Sequence, residues 1–230
     1  MSSPIILNIE TSTNVCSIAI SEGTNCLFRA ADADGMNHAA LLSLFIEEGM
    51  ERIKSTGKQL DAVAVSSGPG SYTGLRIGVS TAKGLCYGLE VPLISISTLE
   101  VLTTQALSTD AIDTTALFCP MIDARRMEVY AVIYNSTGEI QREIAPDIID
   151  QNAYSQFLAH QKVYFFGNGA EKCKSTLTHP NAKFIDNLTP LAENMIPLSL
   201  VNFNQKRYVD LAYFEPFYLK EFQTSSPKIK

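Results

Sequence analysis

Apolar and polar positions alternate along the chain in patterns that predict both strands and helices. Residues 15–20 and 26–31 have strand-like patterns and Gly23 lies in the turn between them, which predicts a β-hairpin. After Gly138, residues 139–145 predict a further strand. Short apolar runs typical of buried strands occur at residues 5–9, 62–65, 93–96, 117–122, 127–134 and 163–166.

Helical spacing of apolar residues predicts a long helix over residues 38–53, with Asn37 as its N-cap. Ser97 and Glu100 have the spacing of a capping box, and they predict a second helix that runs to about residue 106. Further helices are predicted over residues 79–89, 154–160, 168–177 and 191–206. Because strands and helices alternate in this order, the chain is predicted to form α/β sheet structure.

The two halves of the chain repeat one pattern. Glu10 follows an apolar strand and precedes residues 16–20, and Asp123 stands at the same offset before residues 129–133. Each half therefore opens with a strand, an acidic residue, a turn and a second strand. This repeat favours a fold made of two related lobes.

The polar residues 107–115, rich in Asp and Thr, are the candidate boundary between the lobes. With 230 residues, the chain is long enough for one large domain or two small ones. We therefore expect an N-terminal lobe over residues 1–107 and a C-terminal lobe over residues 108–230. The last helix is free to pack back on the first lobe.

Composition narrows the class of function. The formal net charge is −6, which argues against tight, independent binding to a phosphate backbone, because such binding needs clustered cations. No arginine–aromatic cluster is apparent in the sequence either. The five cysteines include no CxxC pair and most lie in apolar runs, so we expect reduced thiols in a cytoplasmic protein. No signal peptide and no membrane-spanning run is apparent.

A glycine-rich segment over residues 66–78 carries the most distinctive pattern of the chain. It follows a predicted strand and leads into a helix, so it is expected to form a tight turn that can present amides to an anion. It lacks the lysine of a Walker A loop and the GxGxxG pattern. Gly74, Gly78 and Ala82 recur every four residues, which predicts a bare helix face for close packing or partner docking. Three interpretations therefore stay open: packing or partner docking, a phosphate-facing loop at Gly68, Gly70 and Ser71, and a simple connecting loop.

Several segments together resemble the TsaB (YeaZ) family, in order from near residue 5 to near residue 220. The glycine-rich segment and Asp123-Ala124-Arg125 are the most specific matches. Supporting matches are Ile5 to Thr13, Asn37-His38-Ala39, Ser97 to Glu100, Glu128-Val129-Tyr130 and Phe214 to Lys220. The resemblance implies an actin-like, sugar-kinase-like duplicated fold with two lobes.

The resemblance also implies a function. It points to a cytoplasmic, non-catalytic factor for threonylcarbamoyladenosine synthesis at adenosine 37 of tRNA. Such a factor binds the catalytic TsaD subunit and works with the ATPase TsaE. Because this chain is acidic overall, we expect its contact with tRNA to be only indirect. Because the two subunits share the fold, the surface that binds TsaD is also free to form a homodimer when the chain is alone. The expected partner surface lies on the helices over residues 38–53 and 72–88. Its candidate residues are His38, Leu42, Phe45, Ile46, Tyr72, Gly74, Gly78 and Ala82.

The alternatives to this interpretation are enzymes, either an ATPase or kinase of the actin-like fold or a metallopeptidase-like hydrolase. In actin-like ATPases, an acidic residue at the position of Glu10 helps to hold the metal, but the Thr11-Ser12-Thr13 that follows has no glycine or lysine to wrap a phosphate. Glu10 and Thr11 nevertheless stay candidates for a phosphate-facing role. The metal-binding histidine pair of TsaD aligns with Thr98 and Leu102, so a metallopeptidase activity and a bound metal are not expected.

We therefore expect no catalytic residue and no cofactor bound by the chain alone, with a nucleotide at a subunit junction as the one option left open. Asp123 and Arg125 form a further candidate polar cluster. It either faces a partner or forms a local ion pair in a turn, and an exposed pair of that kind contributes little stability.

Overall fold

The computed structural model describes residues 3–33, 37–108 and 113–218. In the first half, five strands form one sheet in the order β3-β2-β1-β4-β5. These strands are β1 (Ile5–Glu10), β2 (Cys16–Glu22), β3 (Asn25–Asp32), β4 (Ala62–Ser66) and β5 (Leu93–Ile96). The helices of this half are α1 (His38–Lys54), α2 (Tyr72–Leu89) and α3 (Thr98–Leu107).

The second half forms another five-stranded sheet, in the order β10-β9-β6-β7-β8. Its strands are β6 (Leu117–Asp123), β7 (Glu128–Tyr134), β8 (Ile140–Ile148), β9 (Val163–Phe166) and β10 (Ala182–Ile185). Two helices follow in chain order, α4 (Ser155–Leu158) and α5 (Ile196–Asn204), with short 3₁₀ helices at Glu171–Cys173 and Ala192–Met195.

The two sheets have the same topology. In each, the first strand of the half is central, runs antiparallel to the second strand on one side and runs parallel to the fourth strand on the other. The third strand extends the antiparallel side and the fifth strand extends the parallel side. This match confirms the α/β class and the duplicated fold predicted from the sequence.

Helices cover both faces of the first sheet because its strands are apolar on both sides. Leu7 and Ile9 of β1 face α1 and α2, whereas Ile6 belongs to a separate cluster on the opposite face. That opposite cluster also contains Val101 of α3 and Ile196 of α5. The last helix thus packs on the first sheet, although it follows the second sheet in the chain.

Two of the predicted helices are wrong in part. Residues 168–177 form only a 3₁₀ turn, and residues 191–206 form a 3₁₀ helix followed by α5. Pro197 lies in the first turn of α5, where its missing N–H prevents one continuous α-helix from running through this point. Strand β10 was not predicted, because this short edge strand lacks a buried apolar run.

Part of the predicted lobe boundary, residues 109–112, lies outside the described residues, and the lobe limits stay a prediction. Among the described residues, no helix is long and apolar enough to cross a membrane. The five cysteines are free thiols, and all except Cys26 are buried. Burial raises the pKa of Cys16 and of Cys86 to about 11.

Candidate functional site

The glycine-rich segment connects β4 to the start of α2, and hydrogen bonds within the chain hold it in place. Ser71 is the N-cap of α2, and its Oγ accepts a hydrogen bond from the Gly74 amide at 3.2 Å. The Ser71 amide donates to the Ser12 carbonyl at 2.6 Å. Two of the amides that could face an anion are therefore already satisfied by the protein itself.

The glycines allow the β1–β2 loop to pack directly on this segment. A Cβ atom at Gly70 would lie well inside 3.0 Å of the Ser12 carbonyl oxygen. At Gly74 it would be equally close to the carbonyl oxygen of Thr11, and at Gly78 to the Thr11 hydroxyl. That hydroxyl donates to the Gly74 carbonyl at 2.8 Å. Only glycine permits so close an approach, and the close approach joins two segments of the same chain.

This packing corrects the expectation of an open small-residue face on α2. Gly74, Gly78 and Ala82 are buried inside the chain, where the β1–β2 loop and the first sheet cover them. A stripe of small residues looks the same in sequence whether a partner or a loop of the same chain fills it. The exposed side of α2 is therefore the opposite one.

The candidate phosphate-facing residues are also mostly enclosed. Glu10 and Thr11 are fully buried, and Gly68 is buried as well. The Glu10 Oε1 atom accepts a hydrogen bond from the Ser12 amide at 2.6 Å, whereas Oε2 has no partner among the described residues. Burial raises the pKa of this carboxyl group. In this conformation only Ser71 is exposed and Gly70 is partly exposed.

On α1, the structure separates the candidate partner residues into two groups. Leu42 and Ile46 are buried in the core of the first lobe, which corrects their assignment to an open surface. His38 is half-buried, and its Nε2 donates a hydrogen bond to the Thr13 carbonyl at 3.0 Å. This bond connects the start of α1 to the β1–β2 loop. Phe45 is partly exposed.

Leu44 is the exposed apolar residue of α1 that sequence reasoning missed, with 58% of its surface accessible. The signal was present, because α1 carries more apolar residues than a single buried stripe requires. Helices α1 and α2 contact each other on the same face of the first sheet, so their outward sides form one surface. We call it the outer helix face, and we define it by the exposed or partly exposed apolar and small residues Leu41, Leu44, Phe45, Thr73, Ile77, Ser80 and Gly84.

The C-terminal segment lies across the glycine-rich segment. The Phe217 amide donates to the Ser67 carbonyl at 2.7 Å. Lys83 of α2 donates to the carbonyls of Ala212 and Phe214 at 3.2 and 3.1 Å. The last two residues of the family-like closing motif, 219–220, lie outside the described residues.

An arginine–aromatic cluster forms where this segment meets α2. The rings of Tyr72 and Tyr218 have centroids 5.1 Å apart, and the Arg76 guanidinium carbon lies 5.1 Å from the Tyr72 centroid. The Arg76 Nη1 also donates to the Tyr72 hydroxyl at 2.8 Å. Tyr218 is far from Tyr72 and Arg76 in the sequence, so only the tertiary structure brings this cluster together.

The candidate polar cluster in the second lobe is a turn with a local ion pair. Asp123 pairs with Lys172 and also accepts a hydrogen bond from the Arg125 amide at 2.9 Å. Arg125 and Arg126 have φ angles of +71° and +48°, in the left-handed region that non-glycine residues seldom adopt. Both arginines are exposed, so a partner-facing role also stays open.

The residues aligned with the metal-binding histidines of TsaD lie in the interior. Thr98 and Leu102 are both fully buried in the first half of α3. Across the described ranges 3–33, 37–108 and 113–218, no three His, Cys, Asp or Glu side chains are grouped so that they could hold a metal ion.

Comparison with known proteins relates this chain to others of one family. The family model described as "TsaD: tRNA N6-adenosine threonylcarbamoyltransferase" matches residues 34–218. The tRNA threonylcarbamoyladenosine biosynthesis protein TsaB of Escherichia coli K12 is 30% identical over 226 residues, which cover 94% of this chain and 94% of that protein. The TsaB protein of Haemophilus influenzae is 28% identical over 230 residues, which cover 94% of this chain and 93% of that protein.

Solved structures agree on the fold. The structure of YeaZ from Pseudomonas aeruginosa matches with a TM-score of 0.78 and 24% sequence identity, covering 94% of this chain and all of that one. Together with the Escherichia coli relative, which matches over nearly the full length of both chains, this confirms the resemblance found in the sequence. The chain belongs to the TsaB family.

Proposed function

We propose that this chain is a non-catalytic subunit required for threonylcarbamoyladenosine modification of tRNA at adenosine 37. Its task is to bind the catalytic TsaD subunit and to support a complex with the ATPase TsaE in the cytoplasm. The observation that carries the proposal is the outer helix face. There Leu44 is largely exposed on α1, and a Cβ at Gly84 of α2 would meet open space.

A partner with the same fold suits this surface. The TsaD family model matches this chain from residue 34 to residue 218, a range that contains both α1 and α2. Two chains that share these helices can pair them across a two-fold or pseudo-two-fold axis. The same geometry supports a homodimer of this chain when TsaD is absent.

The enclosed β1–β2 loop supports a role without catalysis. In the actin-like fold, the acidic residue at the end of the first strand acts on a phosphate-bound metal, whereas Glu10 is fully buried here. The tight contacts of Gly70 and Gly74 with this loop leave no gap between the loop and α2. ATP turnover by the purified chain that is lost in Glu10→Ala would contradict this part of the proposal.

Contact with tRNA is proposed to be indirect. The chain carries a formal net charge of −6, and the exposed Arg125 and Arg126 supply only two cations at one place. Each phosphate contact requires a cation, so we expect roughly 10⁻⁴ M or weaker binding of tRNA by the chain alone at physiological salt. A nucleotide held at the junction with TsaD is compatible with this arrangement.

Substitutions on the outer helix face test the proposal. We expect Leu44→Asp and Gly84→Leu to weaken binding of the TsaD protein from the same genome by about tenfold or more, because they place a charge or bulk at the contact. Ile148→Asp is the matched control, since Ile148 is 77% exposed on β8 of the other lobe. Calorimetric titration measures the affinity, and circular dichroism checks the fold.

Cellular tRNA provides the second measurement. In cells without this chain, the threonylcarbamoyladenosine content of tRNA is expected to fall, and the Leu44→Asp variant is expected to restore it poorly compared with Ile148→Asp. If the Leu44→Asp and Gly84→Leu variants both bind TsaD with unchanged affinity, the outer helix face is not the docking surface. If the modification persists without the chain, the function itself is wrong.

A further inference from the structure

A cavity of about 610 Å³ lies between the two lobes and has no part in the proposed function. Its first wall is formed by the loop after β4 and by the start of α3, and its second wall by β7 and β8. The C-terminal residues 214–218 form a third side. The volume is within the range of roughly 300–1,000 Å³ that is typical of small-molecule sites.

Two kinds of side chain are prominent in the lining of this cavity. Four of them are aromatic, namely Tyr134, Phe214, Phe217 and Tyr218. Three others are carboxylates, namely Glu100, Glu143 and Glu215. No lysine, arginine or histidine is among the described residues that line it.

Glu100 on α3 and Glu143 on β8 bring a carboxylate from each lobe to the lining of this cavity, where the charges of both act on Tyr134. Burial raises the pKa of Tyr134, and the charges of Glu100 and Glu143 raise it further. Burial also raises the pKa of Glu100, and this rise is opposed by the hydrogen bond from the Ser97 amide and by the charge of Arg207, which does not line the cavity. The negative charges of these carboxylates would repel a phosphate-bearing ligand and would attract a cation.

We propose that this cavity binds an organic cation, a quaternary ammonium or guanidinium group carried on an apolar body. Aromatic rings attract such cations through their negative faces, and the attraction is strongest where the cation is desolvated. The carboxylates supply the opposite charge, and the apolar walls at Leu99, Val132 and Ile144 accept the uncharged part of the ligand. The inference does not depend on TsaD binding.

Two matched pairs of probes test the charge requirement on the full chain. Choline is compared with 3,3-dimethylbutan-1-ol, its uncharged isostere, and Nα-acetylarginine amide with Nα-acetylcitrulline amide. Binding is measured by NMR chemical-shift titration at the amides of Ser97 and Tyr134. At least one cation is expected to bind about tenfold more tightly than its neutral counterpart, given the energies of desolvated cation–π contacts.

The cation that binds with the higher affinity indicates the source of the natural ligand. Preference for choline indicates a free quaternary ammonium compound, and preference for acetylarginine amide indicates an arginine side chain of a polypeptide. Equal binding of each cation and its neutral counterpart, or the absence of any shift at these amides, would overturn the proposal.

A double variant tests the carboxylates. Glu100→Gln with Glu143→Gln is expected to weaken cation binding by about tenfold without changing the neutral probes. Glutamine also serves at the third helical position of a capping box, so α3 keeps its cap. Glu47→Gln with Glu51→Gln on α1 is the control, because it changes the net charge equally at exposed sites outside the cavity.

A second variant keeps the test decisive if the double variant folds poorly. Phe217→Leu retains the backbone bond to Ser67 and removes one ring of the lining. It is expected to weaken binding of the cation more than binding of its neutral counterpart. Unchanged cation affinity in Phe217→Leu and in the glutamine variant would show that the cavity is not the site.

Discussion

The two sheets share one strand order, yet the turns that follow their central strands are in opposite environments. Glu10 ends β1 and is fully buried, with one carboxylate oxygen unpartnered among the described residues. Asp123 ends β6 at the equivalent place, and its side chain is 47% exposed and paired with Lys172. Topology alone therefore does not determine the environment of the acidic residue.

The difference comes from the element that follows the fourth strand of each sheet. In the first lobe this is the 18-residue helix α2, and the glycines at its N-terminal end let it lie directly on the β1–β2 loop. In the second lobe the same place holds a 3₁₀ helix of three residues, Glu171–Cys173, which is too short to cover the β6–β7 turn. A long helix encloses one turn, and a short one leaves the other open.

The largest loss of stability is expected when the contact between α2 and the β1–β2 loop is broken. Gly74→Ala should destabilise the protein by about 3 kcal/mol, because the new Cβ would overlap the Thr11 carbonyl and force α2 away from the loop. Gly84→Ala in the same helix is the control. Its Cβ would meet open space, so a gain of about 0.5–1 kcal/mol is expected.

Urea unfolding measures both variants. If Gly74→Ala proves as stable as the parent chain while Gly84→Ala behaves as expected, the loop and α2 are not in tight contact. The explanation given for the buried Glu10 would then fail.

The second prediction concerns the pH dependence that burial of Glu10 creates. Its pKa in the folded chain is raised above the ordinary value of 4.5, so between the two values the folded state binds more protons than the unfolded state. Stability is therefore fully present below pH 4.5 and is lost as the pH rises through the folded pKa. Each unit of that difference corresponds to about 1.4 kcal/mol.

Glu10→Gln removes this titration. The unfolding free energy of the parent chain minus that of the variant is expected to decrease as the pH is raised from 4 to 8. Denaturant unfolding at several pH values gives the difference directly. A constant difference over this range would mean that Glu10 is solvated like an ordinary surface carboxylate.

The smallest effect is expected at the open turn. Asp123→Asn keeps an oxygen that can accept from the Arg125 amide but removes the charge opposite Lys172. Because the pair is partly exposed, we expect a loss of about 1 kcal/mol or less, which should shrink further as salt is added. A loss of several kcal/mol would show that the two turns resemble each other more than their exposure suggests.

Local sequence signals predicted most of the fold. The apolar runs at residues 5–9, 62–65, 93–96 and 163–166 are β1, β4, β5 and β9, because a strand covered on both faces needs apolar residues throughout. The capping box of Ser97 and Glu100 is also present at the start of α3. These signals depend only on residues that are close together in the chain, so they can be read directly from the sequence.

The candidate site was predicted less well. Gly74 and Gly78 were recognised as positions of close approach, but the approaching group is Thr11 of the same chain. On α1, a mixture of apolar residues did not reveal that Leu42 is buried and Leu44 exposed. The spacing of a helix defines its faces, and only the position of the sheet determines which face is inside.

The sequence by itself determined the α/β class, the internal repeat and the family, because these depend on periodicity and on contiguous motifs. The tertiary structure alone decided that the β1–β2 loop is enclosed, that Tyr72 and Tyr218 meet, and that carboxylates of both lobes line one cavity. The physical reason is that burial and charge environment depend on groups brought together from distant parts of the chain. A local sequence pattern contains no information about which distant groups come together in the folded chain.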